Sequence, residues 1–249
     1  MRPTRAGIWV ALITLAAAAT ATAQSDGRRS GHARSAYSYV REASGEVSVI
    51  SRYNGRIAAR RNLPITAGDE IEVSEGSRAE IALADGNLLH VGGGTRARFV
   101  SIREQQGEDD EFSAIELEEG SVILTAVGAD EDSLPRIDTD DATVYLSAGA
   151  RVRVNVDPRR GTAVIARAGR MEVRTPDGRH TLRSGEYMMV QGEEEPEIAR
   201  GSFSRDRFDL WAADRITALY ETRSASARYI DDEYDSEVVA LDGYGDWSY

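Results

Sequence analysis

Carboxylates are the side chains of this chain best supplied for chemistry. They cluster as Glu108-Asp109-Asp110-Glu111, as Asp130-Glu131-Asp132, and as Asp138 with Asp140-Asp141. Two kinds of chemistry use such groups. Calcium takes about six to eight oxygen ligands, yet none of the clusters follows the spacing of an EF-hand loop. Glycoside cleavage needs two carboxyls held roughly 5 to 10 Å apart across a sugar, a separation that sequence does not measure. Solvated loop charge is the ordinary state of such runs, so no residue is assigned a catalytic, cofactor-binding or metal-binding role. The three histidines, His32, His90 and His180, form no HxH or HExxH pair. Gly92-Gly93-Gly94 lies between two predicted strands, with no helix N-terminus to hold a phosphate, and reads as a bulge or tight turn. There is no cysteine, which excludes disulfides, thiolate zinc sites and a cysteine nucleophile. The remaining candidates are aromatic. Trp211, Tyr229, Tyr234, Tyr244 and Trp247 lie among acids and polar residues, and such rings either anchor on a partner or sugar face or pack back on their own domain.

Composition narrows the field further. The 249 residues hold 30 basic residues, all arginine, against 42 acids, for a net charge of −12. That balance disfavours binding to nucleic acid or to an anionic membrane surface, both of which need a concentrated basic face. A hydrophobic content of 41% is enough for a packed core. Arg2 and Arg5 precede an apolar stretch that ends Ala21-Thr22-Ala23, the pattern of a secretory signal peptide cleaved after Ala23. The expected compartment is therefore periplasmic or extracellular, with no membrane span left after cleavage.

The elements that must position these residues are short strands. Residues 24–37 read as a flexible lead. From residue 38 to residue 192, runs such as Val47-Ser48-Val49-Ile50, Ile71-Glu72-Val73 and Arg151-Val152-Arg153-Val154-Asn155-Val156 alternate apolar and polar positions. Asn54-Gly55 and Asp85-Gly86 mark hairpin turns, Asn-Gly by supplying positive φ angles. The fold class is all-β, a coiled sandwich or a solenoid-like domain. An acidic linker, 193–203, leads to helical spacing over 204–223: Phe208, Trp211, Ala212, Ile216, Leu219 and Tyr220 form one stripe, with Ser204 as a candidate N-cap. Residues 224–249 form an irregular, acidic, tyrosine-rich tail. Of the 42 acids, 15 fall in 193–249, against 6 arginines, so the C-terminal quarter carries most of the excess charge.

The block 63–100 resembles the FecR domain through Gly68-Asp69 before a strand, Ser77-Arg78-Ala79 leading the next, Asp85-Gly86, and Gly94-Thr95. Leu117 to Val122 and Val164 to Val190, with Gly169, Val173, Leu182 and Gly185, look like its later steps. Residues 204–249 are similar to a region that follows FecR domains in some envelope proteins, marked here by Phe208, Trp211, Arg215, Tyr229, Leu241, Gly245 and Trp247. The resemblance implies an extracytoplasmic β domain in a bacterial protein. Signalling members of the family also carry a cytoplasmic helical domain that holds a sigma factor. Only five residues precede the apolar stretch here, so sigma-factor control is not expected. The reading is a non-enzymatic exported module that binds or scaffolds an envelope protein or glycan. The alternatives are a polysaccharide hydrolase or lyase on a β scaffold, and a calcium-dependent envelope module.

Overall fold

The computed structural model describes residues 37–102, 112–127, 135–201 and 204–221. The predicted signal peptide and most of the lead, the acid runs at 108–111 and 130–132, and the tail lie outside the described residues. Strands β1 (Ser38–Ser44), β2 (Val47–Ser51), β3 (Gly55–Ala58), β4 (Pro64–Ile65), β5 (Glu70–Val73), β6 (Arg78–Ala82), β7 (Leu88–Val91) and β8 (Thr95–Ser101) precede the long β9 (Ala114–Thr125). Then come β10 (Arg136–Asp138), β11 (Thr143–Leu146), β12 (Arg151–Asp157), β13 (Gly161–Ala168), β14 (Arg170–Thr175), β15 (Gly178–Arg183), β16 (Glu186–Val190) and β17 (Glu197–Arg200). Helix α1 (Arg207–Glu221) closes the described chain.

Hydrogen-bonded ladders sort the strands into two layers. The first runs β4-β1-β6-β7-β9-β12-β13-β16-β17. The second runs β3-β2-β5-β8-β9-β10-β11-β14-β15. Every pairing is antiparallel except β9 with β10. Strand β9 serves both layers: Ala114 to Glu119 pairs with β8 and Gly120 to Thr125 pairs with β7 and β12. The two layers share one apolar core. Ile71, Val73, Phe99 and Leu117 enter from one face, and Val40, Ile81, Leu89, Leu124, Val152 and Val164 from the other, all at most 2% exposed. Of the two forms open from sequence, the sandwich with antiparallel ladders is the one present. Alternation is what makes it: strands such as β2, β5, β12 and β16 bury every second side chain, at about 1.5–3 kcal/mol for a fully buried Val, Leu, Ile or Phe.

The turns explain themselves locally. Strands β2 and β3 pair from Ser51 and Gly55 outward, leaving Arg52, Tyr53 and Asn54 as the loop. Gly55 takes φ +66° while Asn54 does not enter the left-handed region, so a three-residue loop replaces the tight Asn-Gly turn expected. Gly120 is the pivot of β9, at φ +95°. A Cβ there would lie 2.5 Å from the Gly94 carbonyl oxygen and from Thr95 Cα, so neither the angle nor the space admits a side chain. Gly149 has a similar angle, +73°, with nothing within 4 Å. We expect Gly120→Ala to lower the unfolding free energy by about 3 kcal/mol or more. Gly149→Ala should cost about 1 kcal/mol, the backbone term alone. Urea unfolding of the two variants checks this, and equal losses would contradict the pivot role.

Candidate functional site

The outer face of the first layer is where charged and aromatic groups converge. Alternation turns Arg78 and Glu80 of β6, His90 of β7 and Ile123 of β9 outward, away from the shared core. In a bare sheet these would be wet. Helix α1 covers them, so Glu80 and His90 are both 0% exposed and Ile123 only 1%. Ala212 and Ile216 of the helix are buried in the contact. The triglycine has its reason here. A Cβ on Gly92 would sit 3.4 Å from the Phe208 ring, and one on Gly93 would lie 2.8 Å from the Gly76 nitrogen.

The helix is capped two residues later than Ser204. Asp206 is its N-cap: its Oδ1 accepts the Asp209 N–H at 2.9 Å, and Asp209 Oδ2 faces the Asp206 N–H at 3.4 Å. Burial works against ionisation of Asp206, but the Asp209 amide and the Arg153 guanidinium outweigh it and hold its carboxyl below the usual range. Asp209, 5% exposed, also takes Arg153 at 2.7 Å and Arg167 at 2.6 Å, which fastens the start of α1 to β12 and β13.

Further along α1 the contact is aromatic. The Trp211 ring meets His90 edge-on at 5.2 Å between centroids and stacks near Phe208 at 6.0 Å. Arg78 lies 4.7 Å from the Trp211 centroid, and Arg153 lies 5.5 Å from that of Phe208. One turn on, Arg215 reaches the sheet. Its Nε donates to Glu80 Oε2 at 2.5 Å, its Nη2 to Glu80 Oε1 at 3.3 Å, and its Nη1 lies 2.8 Å from Glu42. Arg41 Nε is 3.4 Å from Glu80 Oε1. His90 Nε2 faces the same carboxylate at 3.6 Å, an electrostatic contact longer than a hydrogen bond. Burial opposes ionisation of Glu80, yet the facing His90 ring and the Arg215 guanidinium outweigh it and hold the carboxyl at about 2.

A carboxylate, an imidazole and two guanidiniums in one place are the ingredients of acid–base chemistry. Here they lie under a helix, with Glu80 and His90 cut off from solvent, and they hold α1 against β1, β6 and β7. His180, the other described histidine, stands at the β14–β15 turn, 3.3 Å from Thr175 Oγ1 and 3.5 Å from Asp177. Among the loop acids, Asp138 pairs with Arg136 at 2.8 Å, and Asp141 accepts from Thr162 Oγ1 and from the Gly192 N–H. Among the described residues no three His, Asp or Glu side chains group as metal ligands. Trp211 is the one aromatic candidate that the structure places, half-buried between His90 and Arg78. Tyr229, Tyr234, Tyr244 and Trp247 lie outside the described residues. Sequence reading gave Glu80 no role and named Arg215 only as a mark of the resemblance, because an alternating strand assigns Glu80 to water and nothing in it tells that a helix will cover that face.

Among the described residues the fold is an antiparallel sandwich clamped by one helix, with Glu80, His90 and Asp209 engaged in the clamp. Residues 69–169 match the family model described as FecR protein. The match spans β5 to β13, and the sandwich extends beyond it on both sides. No curated protein matches the chain. Among solved structures, two crystal structures of a candidate anti-sigma factor from Parabacteroides distasonis ATCC 8503 are similar. The first, at 1.65 Å resolution, has 24% identity and a TM-score of 0.46, covering 57% of this chain and 64% of that one. The second, at 2.50 Å, has 23% identity and a TM-score of 0.44, covering 67% and 73%. The chain thus spans less than two thirds of the first of them. No helix among the described residues is long and apolar enough to cross a membrane.

The electrostatics give a testable sign. Glu80 has a folded pKa of about 2 against an ordinary 4.5, so its contribution is fully present above about pH 4.5 and is lost as pH falls towards 2. The gap corresponds to about 3 kcal/mol. Unfolding of Glu80→Gln should therefore show a weaker loss of stability between about pH 4.5 and pH 2 than the parent chain, by about that amount. Parallel pH profiles for the two proteins would contradict the assignment.

Proposed function

We propose that this chain is an exported, non-enzymatic FecR module that binds or scaffolds a cell-envelope protein or glycan. The observation that carries the reading is the sealed cluster under α1. Among the described residues, the strongly perturbed carboxylate Glu80 and the buried His90 are used to fix a helix and have no access to a substrate. What the clamp achieves is placement. α1 is held on a rigid face, and the chain continues from Glu221 into the segment that contains Tyr229, Tyr234, Tyr244 and Trp247. In this reading the sandwich is a platform, the helix is a rigid connector, and the aromatic side chains of the C-terminal segment make the contact. Aromatic rings among acids suit such work because they bury a large area at low entropic cost. The export signal read from residues 1–23 supplies the compartment.

The test compares crosslinked capture from envelope fractions, and binding on a glycan array, for the mature chain and for a version carrying Tyr229→Ala, Tyr234→Ala, Tyr244→Ala and Trp247→Ala. Capture or glycan binding that falls about tenfold or more in the substituted version is expected. Undiminished binding by that version would contradict the role given to these residues, and turnover of a polysaccharide by either protein would contradict the non-enzymatic reading.

A further inference from the structure

The charge on the second layer is unevenly matched. On β5, β8 and β9 the outward side chains form an interlocked acid–base lattice: Arg96 reaches Glu70, Glu72, Glu118 and Glu119, and Arg98 reaches Glu70, Glu116 and Glu118. The hairpin at the other end breaks this rule. On β14 and β15, Arg170 stands directly opposite Arg183, and Arg174 directly opposite Arg179, all four exposed. Like charges in directly opposed positions destabilise a ladder. Glu172 neutralises Arg174 at 2.6 Å. Among the described residues, no carboxylate lies within ion-pair distance of the Arg170, Arg179 or Arg183 guanidinium. In a chain of net charge −12, such a row is only partly offset within the described fold, by Glu172 at Arg174 and by Glu186, whose carboxylate feels the Arg183 charge.

The same hairpin ends the layer. Among the described residues β15 pairs with β14 alone, so its other side presents backbone N–H and C=O groups that a further strand can take. A cationic row beside an open strand edge fits one kind of ligand, an extended acidic polypeptide. The ladder would supply main-chain bonds, and acids on the added strand would face Arg179 and Arg183. These two arginines are four residues apart, about 13 Å in a strand.

The chain itself contains such a segment. In Tyr229–Val238, YIDDEYDSEV, the acids Asp231, Glu233, Asp235 and Glu237 recur at every second position, so in an extended conformation they fall on one face. Glu233 and Glu237 then repeat the four-residue spacing of the arginines. The path within one molecule is too long. α1 runs from β12 and β13, where Arg153 and Arg167 hold Asp209, towards β6 and β1, where Glu80 and Glu42 hold Arg215, and so away from the side of β15. Crossing back from β1 to β16 takes six strand spacings of about 4.8 Å, plus the sandwich thickness of roughly 10 Å. The nine residues 222–230 span only about 30 Å. We propose that β15 receives the acidic stretch 229–238 of a second copy of this chain, giving a head-to-tail association.

Sedimentation velocity of the purified mature chain tests this, independently of any envelope partner. Reversible self-association is expected, weakening as salt is raised. A variant with Arg179→Glu and Arg183→Glu should stay monomeric alone. So should one with Asp231→Lys, Glu233→Lys, Asp235→Lys and Glu237→Lys, because each then sets like charges against each other. An equimolar mixture of the two restores opposite charges across the contact and should associate again, which also shows that neither variant is misfolded. A wild-type chain that is monomeric at every concentration would overturn the proposal. So would association that survives either reversal, or a mixture that stays monomeric.

Discussion

The docking of α1 depends on one buried carboxylate. Glu80 is 0% exposed, and leaving it charged there without partners would cost several kcal/mol. Arg215 from the helix, with Arg41 and His90 from the sheet, makes the charge tenable, so the sheet face is complete only when the helix is in place. The dependence runs both ways. At 15 residues α1 is marginal by itself in water, and its mixed sequence gives it no reason to persist undocked. Sandwich and helix therefore form one cooperative unit, joined through Glu80 in the middle of the contact and Asp209 at its start.

That unit rests on a second constraint, the crossing of β9 between layers at Gly120. One strand serving both sheets ties the two halves of the chain to a single core, and the close approach of Gly94 and Thr95 leaves room only for glycine at the pivot. The family match, residues 69–169, is centred on this strand. β14 to β17 and α1 lie outside it, with the helix side of the clamp, the arginine row and the exit towards the aromatic segment, while the sheet residues of the clamp, Glu80, His90, Arg153 and Arg167, lie within it.

Much of the architecture was legible in sequence because alternation is a direct consequence of a sheet with one buried face. Val152, Val154 and Val156 announce their strand, and Phe208, Trp211, Ala212 and Ile216 announce the helix. The hairpin at Asn54-Gly55 was located by its residues, but its loop length depends on how β2 and β3 pair, which a dipeptide does not encode. The clamp was invisible for a related reason. Glu80 and His90 occupy positions that alternation assigns to solvent, and they are covered by Arg215, 135 residues after Glu80, and by Trp211, which packs on His90. The Gly92-Gly93-Gly94 run drew attention as a loop motif, while its actual work is to let Phe208 and a neighbouring strand approach. Long-range contacts of this kind leave no local signature.

The measurement that bears most directly on the account is a double-mutant cycle between the clamp residues, with Glu80→Gln, Arg215→Gln and the combined variant unfolded in urea at neutral pH. If Glu80 and Arg215 hold the helix to the sandwich as one unit, their coupling energy is about 2 kcal/mol or more, with each single variant damaged nearly as much as the pair. Additive effects, with a coupling near zero, would mean that the helix is held by its apolar face alone, and the central role given to the buried carboxylate would be wrong.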